Sequence, residues 1–257
     1  MFHVAIAELR KLKRPSLTAT IFLIVSGLSI LFTSLVFLRM KGKEGVSSRE
    51  IINKFDGGYY TFTLIGLFLS LIALTLFASS SANEYTYGTL RNILVRQPSR
   101  MKVLAGKFLA TAAYALALVT VAAVLNIGLS YALSSHAKVD TAAWSSSKAI
   151  SGFLHLFGNT TLSIIAFGIV GMSLGIILKN PMSAISISLL WFMVLENVLG
   201  AVLPGSNQWL PGAAFQALMG GGFHEFTYSR ALVLSAAYLV AFGGTAAVLF
   251  KRRDVAS

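Results

Sequence analysis

Few residues of this chain have the types and spacing that chemistry on a substrate requires. The stretch Gly171-Met172-Ser173-Leu174-Gly175 matches the G-x-S-x-G pattern of serine hydrolases, in which the serine sits on a strand-to-helix turn. Here the pattern lies inside an apolar helical run, so we interpret the match as accidental. The glycines at 168, 171 and 175 instead predict a small-residue face against which another helix packs closely.

Metal and nucleotide chemistry find no support in the sequence. The histidines at positions 3, 136, 155 and 224 are scattered, and none has a partner at metal-ligand spacing. The chain contains no cysteine, which excludes thiolate zinc sites and cysteine nucleophiles. It also lacks the glycine loop followed by Lys-Ser or Lys-Thr that binds nucleotide phosphates. We therefore expect a non-enzyme with no catalytic residue, no metal and no directly bound cofactor.

One pair of polar residues, Glu196 and Asn197, lies within an apolar run. A carboxylate inside a membrane is energetically unfavourable, so Glu196 should face protein or water. It could serve as a substrate or proton site, or it could form a helix–helix hydrogen bond near the outer end of its span. The sequence leaves both interpretations open.

The composition identifies an integral membrane protein. Of 257 residues, 56% are hydrophobic and 12% are charged, about half the charged fraction of soluble domains. Apolar runs of about 20 residues are long enough to cross the hydrocarbon core. Six such runs predict an all-α protein, a single transmembrane domain over residues 1–257, with spans at about 17–38, 59–79, 108–133, 152–178, 182–203 and 231–250.

The charge distribution predicts the orientation. With both termini on one side, 13 lysines and arginines fall on that side and eight on the other. This excess favours cytoplasmic termini in a plasma membrane, and we expect a bacterial one. Because the basic residues cluster between apolar runs, topology accounts for the net charge of +12, and no nucleic-acid partner is expected.

Two polar segments have helical amphipathicity. Residues 1–15 predict an interfacial helix whose cations face lipid headgroups, and the same cations also suit a flank that sets topology. Between spans two and three, the apolar residues Leu90, Ile93 and Leu94 recur at helical spacing, and Pro98 should end that helix by Gln97. Such a helix can lie on lipid or bind a soluble partner, and we favour the partner. Residues 204–230 are apolar but broken by Pro211 and glycines, which predicts a re-entrant or interfacial hairpin outside.

Two motifs resemble the membrane subunits of ATP-binding-cassette exporters of the type-2 permease family. The first, Glu8-Leu9-Arg10-Lys11-Leu12-Lys13-Arg14, resembles the opening of the bacitracin and lantibiotic self-protection branch. The second combines Glu84 and Gly88-Thr89-Leu90-Arg91 with Gln97-Pro98-Ser99-Arg100 and Lys107. The order of six spans, with an amphipathic helix before them and a broken outer hairpin before the last, is similar as well.

The resemblance implies a function. Residues 84–96 would form a coupling helix that enters a groove on a cytoplasmic ATPase subunit, which binds ATP and Mg²⁺. Two permease chains, identical or sister, would pair in the bilayer to move a peptide antibiotic, a drug or another amphiphile out of the cell. The resemblance also implies ATPase-coupling residues at Glu84, Tyr87, Gly88, Thr89, Leu90, Arg91 and Leu94. It implies interfacial-helix residues at Arg10, Lys11, Lys13 and Arg14. The alternative is an ion- or proton-coupled secondary transporter that uses Glu196.

Overall fold

The computed structural model describes residues 2–13, 15–38, 49–223 and 226–252, and helices dominate these ranges. Within them, extended pairing is limited to one bridge between Phe223 and Phe226. In chain order the α-helices are α1 Phe2–Leu12, α2 Pro15–Leu38, α3 Arg49–Ile52, α4 Tyr60–Thr86, α5 Thr89–Arg96, α6 Arg100–Ala137, α7 Ser147–Leu178, α8 Pro181–Leu189, α9 Glu196–Val202, α10 Pro211–Gly220 and α11 Tyr228–Arg252. A π-helical segment, Leu190–Leu195, joins α8 to α9.

The prediction of six spans is confirmed, because six helical segments among the described residues are long and apolar enough to cross a membrane. The protein is therefore of the multi-pass membrane class. The segments are Pro15–Leu38, Gly57–Thr86, Arg100–Ala137, Ser147–Leu178, Pro181–Val202 and Tyr228–Arg252.

The helix α6 is much longer than a bilayer requires. At 1.5 Å per residue, the 38 residues of α6 extend over about 57 Å, against about 30 Å of hydrocarbon. The surplus at the start of α6 carries Arg100, Lys102 and Lys107, which the sequence placed in the polar segment before the third span. The ends of α4 and α6 thus provide a helical base that holds α5 between them.

The centre of the bundle is the contact between α4 and α7, the most extensive between any two elements of the described chain. The predicted glycine face makes this contact possible. A Cβ at Gly171 would overlap the carbonyl oxygen of Leu74, and one at Gly175 would overlap that of Ala78. Glycine at these positions therefore lets the two backbones approach, as in other small-residue interfaces between membrane helices.

A buried amide joins α2 to α6. The side chain of Asn126 donates to Ser29 Oγ at 3.0 Å and accepts from Thr33 Oγ1 at 3.2 Å. All three side chains are fully buried.

The segment before the last span folds as one short helix, α10, preceded by a 3₁₀ turn at Ser206–Gln208. A positive φ of 77° at Gly221 reverses the chain after it. α10 packs between α7 and α11 and buries Phe215, whose carbonyl oxygen accepts a 2.8 Å hydrogen bond from Ser163. The apolar character of this segment thus reflects packing against the protein.

Candidate functional site

The helix between the second and third spans, α5, ends where the sequence predicted but begins later than predicted, because α4 continues to Thr86 and Gly88 separates the two helices. Gly88 precedes it with a φ of 62°, a left-handed conformation that favours glycine, and α5 ends at Arg96 before Pro98. Ser99 occupies the N-cap position of α6, although its side chain makes no capping hydrogen bond. α5 is therefore a separate eight-residue helix held between two long ones.

The two faces of α5 have different environments. Leu90 is buried in the main apolar core of the protein, and Ile93 and Leu94 pack half-buried against that core. Tyr87, Gly88, Thr89 and Arg91 are exposed. Val95 is also exposed, at 76% of its maximum, and Tyr87 reaches 74%. The surface that α5 offers to the outside is formed by Tyr87, Arg91 and Val95, which we call the α5 outer surface.

The structure places three of the predicted coupling residues against this chain itself. Leu90 and Glu84 are buried inside this chain, and Leu94 is half-buried against it, so none of the three offers a full side chain to a partner. The apolar stripe of α5 that we assigned to a partner is the face by which α5 packs on its own protein. A coupling role for the remaining residues stays a prediction.

Four charged side chains meet below α5, in what we call the basal ion cluster: Glu8 and Lys11 from α1, Glu84 from α4 and Lys107 from α6. Lys107 Nζ donates to Glu8 Oε2 at 2.9 Å and to Glu84 Oε1 at 2.7 Å. Lys11 Nζ donates to Glu8 Oε1 at 2.6 Å and to Glu84 Oε1 at 2.9 Å. Two positive and two negative groups balance, and every contact is a short charge-assisted hydrogen bond.

Three of the four side chains in the basal ion cluster are buried, so their ion pairs fix the arrangement of the helices that carry them. The side chains of Glu8, Glu84 and Lys107 are each 5–7% exposed, whereas that of Lys11 is 41% exposed. Removal of one partner from a buried pair leaves an uncompensated charge, which destabilises by about 3–5 kcal/mol. The cluster therefore connects three helices in a defined arrangement.

The pKa shifts on α1 agree with this arrangement. Burial by itself would raise the pKa of Glu8, but the ammonium groups of Lys107 and Lys11 outweigh it, and the pKa lies below its ordinary value. Burial would lower the pKa of Lys11, but the carboxylates of Glu84 and Glu8 outweigh it, and the pKa lies above its ordinary value. Both groups are charged over the physiological range.

The helix α1 packs on protein along one face, and its predicted interfacial residues differ in their surroundings. α1 lies against α6, where a Cβ at Gly106 would overlap the side chain of Val4. Lys11 points into the basal ion cluster, while Arg10 and Lys13 remain exposed and suited to lipid headgroups. Arg14 lies outside the described residues.

Another motif residue, Arg100, fastens the end of the last span to the same end of the bundle. Its guanidinium donates to the carbonyl oxygen of Phe250 at 3.1 Å and to that of Lys251 at 3.4 Å. A cation at the C-terminus of a helix satisfies carbonyl groups that have no partner within the helix. The N-terminal helix, α5 and the end of α11 therefore lie at one end of the protein.

At the other end, Glu196 occupies a different kind of environment. It is buried at the π-helical segment, and its Oε1 accepts from Trp191 Nε1 at 2.7 Å and from the Gly212 backbone N–H at 3.0 Å. Asn197 is exposed and donates to the Met193 carbonyl oxygen at 2.9 Å. Both residues line a cavity of about 460 Å³ between the fifth span and α10.

The comparison with known families covers nearly the whole chain. Residues 16–256 match a family described as a protein of unknown function, DUF2705. This chain belongs to the DUF2705 family. No curated protein matches it. The match begins within α2, so the DUF2705 chain contributes Glu84 and Lys107 to the basal ion cluster from inside the matched region, and Glu8 and Lys11 from before it.

Two members of the cluster in this DUF2705 protein were not among our predicted site residues. Glu8 and Lys107 belong to the motifs that carry the resemblance, but their spacing gave no reason to pair them. A weak signal existed on α1, where Glu8 and Lys11 stand three residues apart on one helix face. The contacts of Lys11 and Lys107 with Glu84 depend on how three helices cross.

Proposed function

We propose that this DUF2705 protein is the transmembrane subunit of an exporter driven by a separate cytoplasmic ATPase of the ATP-binding-cassette type. The observation that carries the proposal is α5, a short helix anchored by its apolar face, with Tyr87, Arg91 and Val95 exposed at the end of the bundle. A helix fixed in this way can transmit force, because displacement of its outer surface moves the ends of α4 and α6 to which it is attached.

The basal ion cluster supports a mechanical role for this end of the protein. Glu84 lies two residues before the end of α4 and binds lysines from α1 and α6. Movement of α5 would therefore reach α1, α4 and α6 together. In the proposed arrangement this end faces the cytoplasm, as the excess of basic residues favours, and Arg10 and Lys13 contact anionic headgroups.

The other parts of the proposal follow from the resemblance. Two such chains, identical or sister, form the pathway, and the ATPase subunits bind ATP and Mg²⁺. The cargo is a peptide antibiotic, a drug or another amphiphile, moved out of the cell. α10, which is buried between α7 and α11, enters the membrane from the outer side as a re-entrant element.

The test is co-purification with a matched pair of variants. The chain is purified from its source membranes in mild detergent, and ATP hydrolysis and bound subunits are measured. We expect an ATPase subunit with a phosphate-binding loop to accompany the unaltered chain, and Arg91→Glu to remove it. Arg10→Glu is the control, because Arg10 is an exposed arginine at the same end but outside α5. Loss of the ATPase in both variants, or in neither, contradicts the proposal.

The second candidate function is a secondary transporter in which Glu196 carries the coupling ion. Its position in a membrane cavity favours this candidate. Its bonds to Trp191 and Gly212 favour a structural role, since they fix the start of α10. Transport by the chain alone in vesicles, abolished by Glu196→Gln, would establish the second candidate and exclude the first.

A further inference from the structure

The cavity beside Glu196 has a mixed lining that indicates the chemistry of its ligand. Four carboxamide side chains surround the carboxyl group, and Glu196 is the one charged residue among the described residues that line the cavity. The carboxamides are those of Asn197, Asn207, Gln208 and Gln216.

The carboxyl group of Glu196 keeps room for one more donor. Trp191 Nε1 and the Gly212 N–H both donate to Oε1. A carboxylate has about four acceptor positions, so these two bonds leave room for a ligand. A charge-assisted hydrogen bond at that position is roughly twice as strong as one between neutral groups.

The carboxamides are placed to assist such a donor. Asn197 uses its Nδ2 on the Met193 carbonyl oxygen, which leaves its Oδ1 as an acceptor. Gln208 uses its Oε1 to accept from Arg230 at 2.9 Å, which leaves its amide N–H groups as donors. The polar side of the cavity therefore offers acceptors around the carboxyl group and a donor further away.

Three phenylalanines, Phe192, Phe223 and Phe226, supply the apolar side. Aromatic faces attract cations as well as hydrocarbon. The guanidinium of Arg230 lies 5.6 Å from the centroid of the Phe226 ring, so one of these rings already contacts a cation within the protein. The lining thus combines a carboxyl group, hydrogen-bonding amides and aromatic rings.

We infer that this cavity is a binding site for an amine-bearing amphiphile, with the ammonium group at Glu196 and the apolar part against the phenylalanines. A ligand of about 460 Å³ or smaller fits the space. The inference rests on the proposed function in one respect, since it supplies the chemical class of the cargo. Binding itself does not require an ATPase.

The absence of cysteine from the chain makes a direct binding experiment possible. Gln216→Cys is placed in lipid nanodiscs and labelled with a neutral methanethiosulfonate reagent while octylamine is added. Octanol and octanoate, of equal chain length, are the comparison probes. Val95→Cys on α5 is the control position, because it is exposed outside the spans and away from the cavity.

We expect octylamine to slow labelling at Gln216→Cys and to leave the labelling rate of Val95→Cys unchanged. Octanol and octanoate should require about tenfold higher concentrations, which is the effect of losing a charge-assisted hydrogen bond. Glu196→Gln should bring octylamine to the level of octanol. If Glu196→Gln does not assemble, the comparison of the three probes in the chain that retains Glu196 still tests the inference.

Three results would overturn the inference: no protection by octylamine, equal protection by all three probes, or an amine preference that survives in Glu196→Gln. None of them bears on whether an ATPase binds at α5. Conversely, amine-selective protection in a chain that brings no ATPase with it would retain the cavity site and remove the exporter proposal.

Discussion

Replacement of Lys107 by methionine removes the buried ammonium group that joins α1 to α4, while it keeps most of the side-chain volume. Lys107 makes the 2.9 Å contact with Glu8 Oε2 and the 2.7 Å contact with Glu84 Oε1. Glu84 Oε1 retains Lys11, but Glu8 Oε2 loses its lysine. The cluster changes from neutral to one net negative charge.

The size of the effect follows from this geometry. Removing one partner of a buried pair destabilises by about 3–5 kcal/mol, and the lower end applies here because Lys11 is half-exposed and stays with both carboxylates. An opening equilibrium of α1 that shifts by about 3 kcal/mol changes by roughly 100-fold.

The assay measures this opening. Ala5 is buried on the face of α1 that packs on α6, so a cysteine introduced there reacts only when α1 separates. We expect Lys107→Met to accelerate thiol labelling of Ala5→Cys roughly 100-fold. Lys102→Met is the matched control, since Lys102 is an exposed lysine on the same helix.

Two results would refute the reasoning. One is a labelling rate in Lys107→Met that equals that of Lys102→Met. The other concerns Lys107→Met combined with Glu8→Gln, which removes one charge of each sign. This double variant should open less than the sum of its single variants, because fewer charges are left unpaired; additivity would show that the two groups do not interact.

Three further predictions concern packing and pH. Gly171→Ala should lower the thermal midpoint of unfolding by about 3–9 °C, because the new Cβ overlaps the α4 backbone. Gly158→Ala is the control, because a Cβ there meets nothing within 4 Å. Equal midpoints for the two variants would contradict the helix contact. Asn126→Leu should destabilise by about 0.5–2 kcal/mol in reversible unfolding, and an unchanged stability would show that its two interhelical bonds contribute nothing. Because its pKa is lowered, ionised Glu8 stabilises α1 above the unfolded pKa of about 4.3, and this stabilisation is lost as pH falls below that value. Because its pKa is raised, protonated Lys11 stabilises α1 below the unfolded pKa of about 10.4, and this stabilisation is lost as pH rises above that value. Hydrogen exchange of α1, corrected for the intrinsic rate, should increase outside that window, and a flat profile would contradict the ion cluster.

The spans and several of the helix ends between them could be predicted from the sequence because they depend on local features. A run of about 20 apolar residues is sufficient for a membrane helix, wherever it packs. Between the fourth and fifth spans, Asn180, which caps α8 by accepting from the Ser183 N–H, and Pro181 are residue types typical of a helix start. The end of α5 before Pro98 likewise depended on a local feature, whereas its separation from α4 at Gly88 was not predicted.

The orientation of α5 could not be predicted. Its apolar stripe predicts an amphipathic helix, but a stripe is the same whether it packs on its own chain or on a partner. The depth of the core beneath it decides the matter, and that core is assembled from helices remote in sequence, with Leu12, Val103 and Phe250 among its members.

The basal ion cluster could not be predicted from the sequence for a related reason. Glu84 and Lys107 stand on separate helices with all of α5 between them, and Glu8 is farther still. Their meeting depends on the crossing of α1, α4 and α6, which residue spacing does not encode. The basic residues of α1 also look equivalent in the sequence. Only their positions around the helix place Lys11 at the ion cluster and leave Arg10 and Lys13 exposed.

The central claim is that the α5 outer surface receives force from an ATP-hydrolysing subunit. Site-specific cross-linking in intact membranes tests it most directly, since each introduced cysteine is the only one in the chain. Val95→Cys, at 76% exposure, should cross-link to a subunit that hydrolyses ATP, and Asn207→Cys at the opposite end should not. Transport by the isolated chain in vesicles, with no such cross-link from Val95→Cys, would contradict the claim.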